Sequence, residues 1–134
     1  MSGALARRLG LAFVFAWFLF GGIGHFAKTD FFVSIVPTYI PKPLAMVYIS
    51  GIFELLGAVG VLIPSTRRLA GLGLFLLTLC VTPANVNMWL HPQQFPDMPE
   101  WAYSVRLVVQ VLLLACIWWS TQPKVLKQEN DHGG

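Results

Sequence analysis

Val47–Ile63 reads VYISGIFELLGAVGVLI, an apolar run broken by one formal charge, Glu54. Extended back to Leu44, it has the ~20 residues a helix needs to cross ~30 Å of hydrocarbon. At ~1.5 Å per residue, Glu54 then lies ~15 Å from either end. A carboxylate at that depth is costly unless it is paired, protonated or wet, so it marks a site. Arg106 is the other formal charge inside an apolar run, and is therefore the expected partner of Glu54. Two roles are open to such a pair. It holds helices two and four together, where buried pairs stabilise little but set register, or it lines a pocket.

Working outward, four apolar runs can be counted, at 9–27, 44–63, 69–90 and 101–120. The chain is 56% hydrophobic and 11% charged, whereas about a quarter of residues are charged in soluble domains. That composition excludes an ordinary soluble domain, and the net charge of +3 is no argument for nucleic acid. Backbone groups in lipid must be satisfied within the segment, so the runs are helices. The expected fold is all-α: one domain over residues 1–120, a transmembrane antiparallel four-helix bundle. Residues 121–134 are expected to be a disordered polar tail. Arg7 and Arg8 ahead of span one resemble a signal-peptide start, but no A-x-A follows, and the run is kept as a span.

Lysine and arginine counts set the orientation. Arg7, Arg8, Arg67, Arg68, Lys124 and Lys127 fall on one side, against Lys28 and Lys42 on the other. Both termini are expected in the cytoplasm, with the protein integral to the plasma (bacterial inner) membrane.

The first connection, residues 28–43, is too apolar to stand in water, and Pro37, Pro41 and Pro43 prevent a long helix. A short turn from Phe31 to Val36, capped by Thr29 or Asp30, is expected. It is either an anchor at the membrane surface or a lid over a pocket. Small residues, Gly51 and Gly57 in span two and Gly21 and Gly22 in span one, suit close helix packing.

Span three turns polar late, at Thr82, Asn85 and Asn87, around a kinking Pro83. Asn85 and Asn87 are about 200° apart on a helical wheel, and Asn85 is the one expected to face the interior, as a pocket group or an interhelical clamp. Span four carries Tyr103, Arg106 and Gln110 on one face. His25, near the end of span one, reads as an interfacial group or as a further member of the site. The candidate pocket is thus Glu54, Arg106, Gln110, Asn85 and His25, all in the outer-leaflet half. No metal-ligand spacing is present. Cys80 and Cys116 lie in apolar sequence at different depths and are expected to be unpaired small hydrophobes. The inner half lacks ionisable groups, which disfavours a proton or ion path and makes a small transporter the weakest reading.

Several segments together resemble the DoxX family: GIGHF at residues 22–26, IVPTYIPKP at 35–43, SGIFELLGA at 50–58, TRR at 66–68 and PANV at 83–86. The resemblance covers most of Gly22–Asn87 and implies a small four-helix membrane protein. It further implies an accessory subunit of a membrane redox or oxidative-stress system, not catalytic alone, holding a quinone-like or lipid-like molecule. The resemblance fixes no cofactor, and a quinone is the candidate it suggests. The alternative is a non-catalytic assembly or interaction protein. Membrane lipid is an expected partner under both readings, as is a membrane protein or a second copy of the chain. The sequence has no C-x-x-C, which argues against direct thiol–disulfide chemistry.

Overall fold

The computed structural model describes residues 2–96 and 98–123. Within them the chain is helical: α1 (Gly3–Ala27), α2 (Thr29–Ile35), α3 (Pro43–Leu62), α4 (Arg67–Leu90) and α5 (Glu100–Thr121), with a 3₁₀ turn at Pro92–Gln94. Four of them, α1, α3, α4 and α5, are long and apolar enough to cross a membrane. The tail expected from residue 121 starts later, since Thr121 ends α5 and both it and Gln122 are buried; its remainder from residue 124, with Lys124 and Lys127, lies outside the described residues.

Helix starts and ends follow local chemistry. Ser2 caps α1 by accepting the Leu5 N–H, so this helix begins six residues before the apolar run does. Pro43 opens α3, where its missing N–H costs nothing. Pro83 sits inside α4, which continues through it. In α2 the cap is Lys28, without a side-chain bond, and not Thr29 or Asp30 as expected. Thr29 is instead the first helical residue. Its hydroxyl turns back to donate to the carbonyls of His25 (2.8 Å) and Phe26 (3.1 Å), which the end of α1 leaves without intrahelical partners.

Each long helix packs on two others: α3 on α1 and α4, and α5 on α4 and α1. Near the starts of α1 and α4, Leu11, Val14, Ala58, Val61, Leu74 and Ile117 form a dry core to which all four contribute. A smaller cluster, Ile35, Met88 and Tyr103, closes the opposite end beneath α2. The segment of uncertain role between α1 and α3 is therefore folded onto the helices, with Ile35 buried.

The arginines used to count topology also tie helix ends. Arg67 donates from Nε to the Val61 carbonyl (2.7 Å) and from Nη2 to that of Leu62 (3.3 Å). Arg7 donates to the Ser120 carbonyl (3.1 Å) and to that of Gln122, while the Gln122 amide donates to the Arg68 carbonyl (3.1 Å). Cations at C-terminal carbonyls satisfy orphan acceptors and oppose the helix dipole. These contacts join the start of α1, the end of α5 and the start of α4.

Candidate functional site

The site rests on how closely α1 approaches α3. A Cβ at Gly51 would lie 2.8 Å from the Cβ of His25, and one at Gly22 would lie 2.8 Å from Leu55 Cγ and 3.2 Å from the Gly51 carbonyl oxygen. Without those side chains the two backbones come together, as small residues allow at membrane helix crossings. His25 lies one turn beyond Gly21 and Gly22, and Glu54 nearly one turn beyond Gly51. The close crossing therefore brings the two side chains face to face.

His25 Nδ1 lies 3.0 Å from Glu54 Oε2 and 2.7 Å from the Gly21 carbonyl oxygen. One ring nitrogen carries at most one hydrogen, and here two acceptors converge on it. Hydrogen-bond geometry is met toward Gly21. Glu54 Oε2 is buried and has no hydrogen-bond donor among the described residues. The contact with Glu54 is therefore a close approach, not an aligned bond. Phe32 of α2 stacks on the imidazole at 4.1 Å between centroids, so α2 covers the pair from above.

This corrects the expected Glu54–Arg106 pair: the side chain that meets Glu54, at 3.0 Å, is His25. The reason is the packing order, because α3 lies against α1 and α4 whereas Arg106 is on α5. Among the described residues Arg106 has neither a hydrogen-bond nor an ion-pair partner. The interfacial reading of His25 is also corrected, since that residue is only 7% exposed.

A second polar group joins α4 to α5. Asn85 donates its amide to Gln110 Oε1, and Gln110 donates to the hydroxyl of Thr82 at 2.6 Å. Thr82 in turn donates to the Thr78 carbonyl at 3.0 Å. These side chains meet much of each other's hydrogen-bonding demand, as an interhelical clamp does.

Both groups border one cavity of about 840 Å³. Its wall includes His25, Glu54, Asn85, Arg106 and Gln110, set in a mainly apolar lining to which Phe18, Ile35, Val47 and Leu113 belong. Phe32, Val36, Pro37 and Ile40 make α2 and the turn after it part of that wall. Other wall residues, Phe13, Trp17 and Phe20 of α1 and Ile49 and Phe53 of α3, are exposed on the flank. The cavity thus reaches the apolar outer surface. A volume of this size, apolar with a few convergent polar groups, is that of a small-molecule site. Thr78 and Ser50 also line it and were not foreseen as pocket groups. Their hydroxyls bond their own helix, at Leu74 and Val47.

The cysteines differ from expectation in one respect. Both are free, but Cys80 is exposed at the flank and borders the cavity, whereas Cys116 is half-buried with Sγ 3.8 Å from the Gly10 carbonyl oxygen. Helix α4 turns Cys80 away from the core that Leu74 and Thr78 face. Among the described residues no cluster of three or more His, Cys, Asp or Glu could hold a metal ion.

The model of a family described as a domain of unknown function, DUF8561, matches residues 14–121, a stretch that includes His25, Glu54, Asn85, Arg106 and Gln110. No curated protein and no solved structure matches the chain.

Proposed function

The chain belongs to the DUF8561 family, and from that premise we propose that it is a membrane protein which holds one quinone-like or lipid-like molecule between its helices. The observation that carries this reading is the gathering of His25, Glu54, Asn85, Arg106 and Gln110 on the wall of one apolar cavity open to the flank. An amphiphile fits such a space: its apolar part lies along the aromatic flank and its polar end meets Glu54, His25 and Arg106.

In this reading the four long helices form an antiparallel transmembrane bundle. The ties from Arg7 and Arg68 to the end of α5 support that arrangement. The cation-rich end faces the cytoplasm of a plasma (bacterial inner) membrane by the positive-inside rule, which puts the cavity in the outer half. Kinship with the DoxX family is part of the same proposal. Two of the segments that carry the likeness, residues 22–26 and 50–58, are those that meet at the His25–Glu54 contact. The role this suggests is an accessory subunit of a membrane redox or oxidative-stress system, with partner proteins supplying the redox centre.

Gentle extraction followed by mass spectrometry of the intact complex tests the reading. An amphiphilic small molecule is expected to accompany the wild-type chain and to be lost from Glu54→Gln. A stoichiometric membrane protein partner with no small molecule would overturn it in favour of an assembly role.

A further inference from the structure

Among the described residues two groups on the cavity wall, of opposite sign when ionised, lack a hydrogen-bond partner. Glu54 Oε2 is buried with no donor among the described residues, because His25 Nδ1 meets hydrogen-bond geometry toward the Gly21 carbonyl and not toward Glu54. Arg106 lines the same cavity from α5 and has no acceptor among the described residues. The neighbouring amides are not in this position, since Asn85 and Gln110 bond each other and Thr82. A buried carboxylate oxygen that receives no hydrogen bond is costly even with an imidazole 3.0 Å away, and a guanidinium beside an apolar cavity gains from an acceptor. Joining Glu54 to Arg106 directly would meet both needs, but their helices pack on different sides of α1 and α4.

We infer that the molecule held in the cavity is a zwitterionic amphiphile, an amino-phosphate lipid whose ammonium group meets Glu54 and whose phosphate meets Arg106. This inference rests on the small-molecule reading above and selects the lipid branch of it. Guanidinium binds phosphate through paired N–H donors, and an ammonium supplies the donors that Glu54 Oε2 lacks. A simple fatty acid would satisfy Arg106 and leave Glu54 bare. A long-chain amine would do the reverse, and a quinone carries no charge for either. The headgroup lies within the helices and the acyl chain leaves along Phe13, Trp17 and Phe20 into the surrounding lipid.

The test is equilibrium binding to the full-length chain in detergent. The probes are lysophosphatidylethanolamine, lysophosphatidic acid of the same chain length, free phosphoethanolamine and decylubiquinone. Wild type is expected to bind lysophosphatidylethanolamine about tenfold more tightly than lysophosphatidic acid, the worth of one charged hydrogen-bonded contact. Free phosphoethanolamine is expected not to compete, which distinguishes a lipid from a free zwitterion. Glu54→Gln should abolish the preference between the two lipids, and Arg106→Gln should weaken both by about tenfold. The wild-type ranking needs no variant, so a misfolded mutant does not remove the test. Equal binding of the two lipids, or tight binding of decylubiquinone alone, would overturn the zwitterion inference and leave the small-molecule reading standing. If no probe binds and no small molecule accompanies the extracted chain, both fall.

Discussion

At the scale of single residues, Glu54 decides most. Replacement by Gln keeps its size and removes the charge that His25 approaches at 3.0 Å. No hydrogen bond to the Glu54 carboxylate is lost in this change, so Glu54→Gln is expected to fold with a stability change within about 1 kcal/mol while losing the bound molecule. A double-mutant cycle reads the pairing directly. Residues in contact couple by roughly 0.5 kcal/mol or more, whereas residues without a shared partner add within that margin. Glu54→Gln combined with His25→Gln should show coupling in thermal stability, and Glu54→Gln combined with Arg106→Leu should be additive once the chain has been stripped of bound lipid. Coupling to Arg106 in place of His25 would mean that α3 and α5, not α1 and α3, carry the contact.

At the scale of helices, glycines separate packing from propensity, and α4 offers an internal control. A Cβ at Gly71 would fall onto Oγ1 and Cβ of Thr121, inside any real contact distance. Thr121 is buried and its hydroxyl is held by the Ile117 carbonyl at 2.6 Å, so it cannot step aside. At Gly73, two residues on, nothing lies within 4 Å. Gly71→Ala should therefore cost about 1–3 kcal/mol, as overpacking does, by forcing α4 from α5. Gly73→Ala should be neutral or gain up to about 1 kcal/mol from helix propensity. Thermal unfolding of the two variants in detergent compares them, and equal shifts would contradict the α4–α5 contact. Helix α2 belongs to this scale too. Its seven residues are too few to stand alone, and Phe32 on His25 and Ile35 in the small cluster hold it over the cavity.

At the scale of the molecule, the polar wall gathers toward one end and the dry core toward the other. The membrane reading gives that asymmetry a direction. With both ends of the chain cytoplasmic, a cytoplasm-dependent reporter fused after Gly134 should be active, and one inserted between Gln93 and Gln94 inactive. An active insertion at Gln93 would place the cavity in the cytoplasmic leaflet and exchange the lipid population it meets. The arginine ties are indifferent to that outcome. Arg67 serves the end of α3, and Arg7 the end of α5, whichever way the protein faces.

Helix number and approximate spans were legible in the sequence because each long helix is a continuous apolar run, and hydropathy along the chain is a local property. The unusual status of Glu54 was legible for the same reason: a charge in such a run stands out without knowledge of its neighbours. The partner of Glu54 was not. Matching it to Arg106 used charge alone, but which helices touch depends on where backbones can approach. That was decided by Gly22 and Gly51, each meeting side chains of the other helix. A faint signal existed, since His25 stands one turn from Gly21 and Gly22, and Glu54 about one turn from Gly51. Two glycine faces, each followed by a polar residue, mark a close crossing that brings those residues together. The segment between α1 and α3 was likewise ambiguous, because an apolar surface is equally content against lipid or against protein. Tertiary packing alone placed Phe32 on His25 and Ile35 against Met88 and Tyr103. Sequence determines which residues cannot face water. Only the approach of one helix to another determines what they face instead, because contact between distant segments depends on shape at the crossing.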